Sequence, residues 1–75
     1  MVVPFYMLIR TRIGASKDVV HATLMIEGVK VSHSVMGNYD VVLYAEGKDL
    51  EDVRRIRVAV EQIGGIKLTE TLIHA

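Results

Sequence analysis

The residue types best suited to chemistry stand together at Gly37-Asn38-Tyr39-Asp40. Gly37-Asn38 lies between two apolar runs, and this pairing predicts a two-residue β-hairpin loop of the primed class. Hairpin chemistry alone accounts for the four residues: positive φ at Gly37 and Asn38, Tyr39 half-buried at the start of a strand, and Asp40 accepting bonds from turn amides. The same corner also suits a ligand. Turn amides bind a carboxylate and an aspartate carboxylate accepts bonds from an ammonium group, which together match the main-chain charges of an amino acid.

Elsewhere the reactive types are scattered. His21, His33 and His74 fall on a helix and two strands, with no spacing that sets two ligands on one helical face, and there is no cysteine. No metal centre and no cofactor are expected. His33, on an otherwise apolar strand face, reads as a hydrogen-bonded packing residue.

Six elements must position the corner. Pro4 to Arg12 is apolar on both faces, Phe5, Met7 and Ile9 on one and Tyr6 and Leu8 on the other, as in a strand covered on two sides. Ser16 is the expected N-cap of a helix over Lys17–Glu27, with Asp18 in its first turn and Gly28 at its C-terminus. Its apolar face is Val19, Val20, Thr23 and Ile26, with Ala22 beside them. Val29 to Met36 alternates an apolar set (Val29, Val31, Val35) with a mainly polar one (Lys30, Ser32, Ser34), the pattern of an edge strand. Tyr39 to Glu46 is again apolar on both faces. Asp49 caps a second helix with Glu51 and Asp52 in its first turn and a buried stripe of Val53, Ile56, Val60 and Ile63. Gly64-Gly65 ends it, and Ile66 to Ala75 completes the chain as an edge strand. The order βαββαβ predicts an α+β, ferredoxin-like fold over 1–75: one domain, a four-stranded antiparallel sheet and two helices on one of its faces.

With 75 residues, 51% of them apolar, the chain has a small core of its own and no disulfide to support it. Its longest apolar run, Met1 to Ile9, is broken by Pro4 and is too short to span a membrane; it also lacks the flanks of a secretory signal. A cytoplasmic protein with no membrane partner is expected. Nine basic residues balance nine acidic ones, and no basic stripe marks a nucleic-acid surface. Asn38 and Gln62 are the only side-chain amides, a scarcity of thermolabile residues reported for thermophile proteins. The two-faced central strands leave the sheet's second face apolar, and a second copy is the economical cover, so a homodimer through that face is expected.

The Gly-x-Tyr-Asp corner, the acidic helix start at Asp49, the Gly64-Gly65 pair and Thr69-x-Thr71 resemble the effector-binding (RAM) domain of the Lrp/AsnC regulators. The resemblance implies a ligand-sensing assembly module without enzymatic activity. It further implies dimers joined through their sheets and assembled into rings, with a small effector, typically an amino acid, held between dimers at Gly37, Asn38, Tyr39 and Asp40, and with Thr69 and Thr71 helping to line that pocket. Thr69 and Thr71 read equally as ordinary β-branched strand residues. Family members usually carry a helix-turn-helix domain first; here the sequence opens on the first strand, implying a stand-alone form without direct DNA binding, which could act by co-assembling with full-length Lrp/AsnC regulators or as a reporter of amino-acid supply. Departures from the family pattern are Glu27-Gly28 and Gly64-Gly65 in place of Pro-Gly, and Met36 in place of a threonine. Three alternatives stay open: a dimeric ferredoxin-like enzyme of the monooxygenase or isomerase type, an ACT-type regulatory module, and a purely structural oligomerisation domain.

Overall fold

The computed structural model describes all residues, 1–75. The elements run β1 (Val3–Thr11), α1 (Ser16–Leu24), β2 (Val29–Ser34), β3 (Val41–Gly47), α2 (Leu50–Glu61) and β4 (Ile66–Ile73). They form one antiparallel sheet in the order β2-β3-β1-β4, so the two strands that are apolar on both faces are the central pair. The ferredoxin-like fold expected from the sequence is the fold observed.

One parity of the central strands, Phe5, Met7 and Ile9 on β1 with Val41, Leu43 and Ala45 on β3, is buried in a single cluster with Val19 of α1 and Val53, Ile56 and Val60 of α2. Both helices therefore cover the same face. The other parity, Tyr6 and Leu8 with Val42 and Tyr44, lies on the open face, where the Tyr6 and Tyr44 rings meet at 5.2 Å with a 53° tilt. Asp49 caps α2 as expected, its side chain accepting from the Asp52 N–H at 2.8 Å.

Several local expectations are corrected. The 37–38 turn is not a two-residue primed hairpin: β2 ends at Ser34 and β3 begins at Val41, and no residue other than glycine has positive φ, so Asn38 cannot supply the conformation such a turn needs. Residues 35–40 form a wider connection closed by Val35 N–H to the Asp40 carbonyl at 2.9 Å, which also starts β3 at Val41 rather than Tyr39. Ser16 is the first helical residue instead of the cap; the cap position is Ala15, without a side-chain bond, and the Ser16 hydroxyl accepts from Ser34 at 3.4 Å.

The first helix stops at Leu24, not Glu27, because Met25 and Ile26 bond back to the carbonyls of Ala22 and Thr23 in a tightened turn. Finally, β2 presents its polar parity to the helices. A register shift between Val29 and Val31 reverses the phase, so Ser32 is buried opposite Leu43 while Val31 and His33 face outward. His33 is exposed rather than packed. Ser32 is accommodated because Thr23 Oγ1 lies 2.8 Å from its Oγ; Thr23 donates its own proton to the Val20 carbonyl, so Ser32 is the donor.

Candidate functional site

Gly37, Asn38 and Asp40 line a polar cleft of about 380 Å³ at the end of the sheet, together with Arg10, Thr11, Arg12, Ser16 and Lys67. That volume is at the lower end of the range of roughly 300–1,000 Å³ usual for small-molecule sites. Asp40 is half-buried and anchors the corner to β1: its N–H donates to the Ile9 carbonyl at 2.8 Å, and its Oδ2 accepts from the Thr11 N–H at 2.8 Å. The carboxylate thus takes the place of the next ladder carbonyl, and its Oδ1 is left without a protein donor.

Tyr39 turns away from this cleft. Its hydroxyl reaches across β1 and donates to Glu70 of β4, a bond that raises the tyrosine pKa, with desolvation and the glutamate charge adding to it and Arg10 opposing. Thr69 and Thr71 lie on the helix-facing parity of β4. Thr69 donates to Glu61 of α2 at 3.3 Å, and Thr71 lines a separate shallow groove with Leu50, Val53, Arg54, Arg57 and Ile73. Within one chain the structure therefore brings Gly37, Asn38 and Asp40 together, and sets Tyr39, Thr69 and Thr71 apart from them.

Sequence reasoning passed over Arg10, Arg12 and Lys67, which the fold gathers around the corner. Lys67 reads as a solvating residue of an edge strand. Its position in Gly65-Ile66-Lys67, the counterpart of Gly28-Val29-Lys30, was the available signal, because both segments lead from a helix into a strand with a register shift. The histidines stay apart, and no group of three His, Asp or Glu side chains is placed to hold a metal ion.

No family model matches the chain, and no curated protein sequence matches it significantly. Solved structures do. A protein of Thermus thermophilus has a TM-score of 0.91 at 27% identity, over 97% of this chain and 92% of that one. AsnC of E. coli has a TM-score of 0.88 at 16% identity, over 96% of this chain and 50% of that one. A transcriptional regulator of Neisseria meningitidis, in complex with L-Met, gives 0.85 at 13% identity, over 97% of this chain and 49% of that one. The resemblance to the Lrp/AsnC domain is borne out as one of fold. The chain spans about half the length of the two regulators and nearly all of the Thermus protein. No helix is long and apolar enough to cross a membrane.

Proposed function

We propose that the chain is a regulatory module of the Lrp/AsnC type that binds an amino acid at the 37–40 corner and responds by changing its state of assembly, without catalysing a reaction. The observation that carries this reading is the juxtaposition, in one cleft of ligand size, of the Asp40 carboxylate with three cationic side chains. An amino acid presents an ammonium and a carboxylate on adjacent bonds, and such a cleft offers a partner for each. The amino-acid complex of the Neisseria regulator, which has the same fold, lends support.

In this proposal copies pair through the open sheet faces, and the dimers assemble further into rings, so that a neighbouring copy brings Tyr39, Thr69 and Thr71 to the rim of the effector site. The effector shifts assembly by its differential affinity for the assembled and dissociated states. The module acts in the cytoplasm through full-length Lrp/AsnC regulators rather than by touching DNA itself. Against the enzyme alternative, the space between helices and sheet is filled by apolar side chains and the mutually bonded Thr23 and Ser32, leaving no reactive group in a pocket there.

A thermal-shift screen of the folded chain against the twenty amino acids tests the reading. A ligand that binds only the native state stabilises it by about 2.7 kcal/mol at one hundred times its dissociation constant. For a domain of this size that is a rise of roughly 10 °C or more. No rise for any of the twenty would leave a structural assembly module, a reading that the bond from Thr11 to Asp40 favours because it gives the aspartate a structural task.

A further inference from the structure

The two halves of the fold carry the same device at opposite ends of the sheet. In β4 the pairing with β1 steps from Arg10↔Leu68 to Thr11↔Ile66, which leaves Lys67 as an extra, unpaired residue. In β2 the pairing with β3 steps from Val29↔Ala45 to Val31↔Tyr44, which leaves Lys30 in the same situation. Each bulge lets the preceding aliphatic residue, Ile66 or Val29, pack on the core while the lysine swings out to the end of the sheet.

The charges at the two ends differ. Beside Lys30 the cleft contains Lys48 and Arg55 with Glu27, Glu46 and Asp52, three cations against three carboxylates. Part of this set is tied together: Arg55 Nε donates to the Asp52 carboxylate at 2.7 Å, Arg55 Nη2 to the Glu27 main-chain carbonyl at 3.1 Å, and the Lys48 main-chain N–H to the Asp52 carboxylate at 2.8 Å. Beside Lys67 the cleft contains Arg10, Arg12 and Asp40, three cations against one carboxylate, a local balance of +2 in a chain whose formal net charge is zero. None of the three is in an ion pair, since the Arg55–Asp52 pair is the only one in the chain; Asp40 is engaged by the Thr11 N–H, and Arg10, on the parity of Tyr6 and Leu8, also acts on the Tyr39 hydroxyl that bonds Glu70. A cleft lined by one sign of charge concentrates ligands of the other.

We propose that the corner cleft is selective for an acidic amino acid, aspartate or glutamate. This rests on the effector reading above and adds its specificity. The ligand's ammonium pairs with Asp40, and its two carboxylates pair with the cations, with Arg10 and Arg12 offering the planar fork that holds a carboxylate by two bonds. A neutral amino acid leaves two of the like charges uncompensated, and a basic one adds to them.

The test is isothermal titration calorimetry on the whole chain at low ionic strength with L-aspartate, L-glutamate, L-asparagine, L-glutamine and glutarate. The acidic amino acids are expected to bind at least about tenfold more tightly than the amides of the same shape, with the preference narrowing as salt is added. Lys67→Gln and Arg12→Gln, both at exposed positions, are expected to bring the ratio of glutamate to glutamine affinity towards one while circular dichroism stays unchanged. Asp40→Asn, which keeps an oxygen for the Thr11 N–H, is expected to bring glutamate down to the affinity of glutarate. Equal or tighter binding of a neutral amino acid would overturn the specificity and leave the effector reading standing. Glutarate binding as tightly as glutamate to the unaltered chain would overturn it through the ammonium pairing. Binding of none of these four amino acids would overturn the specificity, and no response to any of the twenty in the thermal-shift screen would remove the effector reading with it.

Discussion

At the scale of single residues, Asp40 has two tasks that substitution can separate. Asp40→Ala removes the acceptor of a buried residue's N–H as well as the charge, so a loss of about 1–3 kcal/mol is expected in urea denaturation, together with the loss of any amino-acid response. Asp40→Asn removes the charge and keeps an acceptor, so most of the stability should remain while the ligand response falls. A second pair lies in the interior. Ser32→Ala leaves Thr23 with the Val20 carbonyl and is expected to cost about 1 kcal/mol, whereas Thr23→Val strands the Ser32 hydroxyl and is expected to cost about 1–3 kcal/mol. Chemical denaturation of the two variants and their combination checks the order. Equal losses would mean that Ser32 finds another acceptor.

At the scale of elements, the junctions after the helices matter most. Gly28 has φ +104, and a Cβ there would stand 2.6 Å from Ile56 Cδ1 and 3.1 Å from the Glu46 carbonyl oxygen, whose own residue donates its N–H to Gly28 at 2.9 Å. Gly28→Ala combines backbone strain with a collision in the core and is expected to cost at least about 1–3 kcal/mol, read as a lowered melting temperature. The start of α2 links to pH. Asp52 accepts from Arg55 and from the Lys48 N–H, and these bonds hold its pKa below the ordinary 3.8. A depressed carboxylate stabilises the fold fully above its unfolded value and loses that contribution as pH falls through the folded one. Unfolding measured from pH 6 downwards should therefore show a shallower acid dependence in Asp52→Asn, and a small one, because the Arg55 side of the pair is solvent-exposed.

At the scale of the whole molecule, the open sheet face is the outstanding feature. The radius of gyration, 11.3 Å, matches the value of about 11.4 Å expected for a compact chain of this length, whereas the accessible surface of 4987 Å² exceeds the roughly 4,600 Å² expected for its mass. Tyr6 (40%), Val31 (40%), Leu68 (45%) and Leu72 (45%) expose apolar area on that face, and only ten apolar residues form the core. Pairing of two copies through this face follows as an expectation from both numbers. Tyr6→Glu with Leu72→Glu should convert the chain to a monomer in light scattering at micromolar concentration, with a lower melting temperature, because each charge would otherwise be buried without a partner. A mass unchanged by both substitutions would place the contact elsewhere.

The sequence by itself determined the order of the six elements, the central and edge strands, both aliphatic helix stripes and the Asp49 cap. These rest on periodicity and local chemistry, which each segment carries without its neighbours. The corner was legible as a corner but not as a turn type, since the bonds that anchor it, from the Asp40 N–H to the Ile9 carbonyl and from the Thr11 N–H to the Asp40 side chain, depend on a strand far away in the chain. The phase of β2 was equally out of reach. Alternation shows that a strand has two faces, but the bulge at Lys30 and the hydroxyl of Thr23 decide which face is buried. Only the tertiary structure gathered Arg10, Arg12 and Lys67 beside Asp40, because charge balance in a cleft is a property of residues brought together from separate strands and loops, and the neutral total of the chain conceals it.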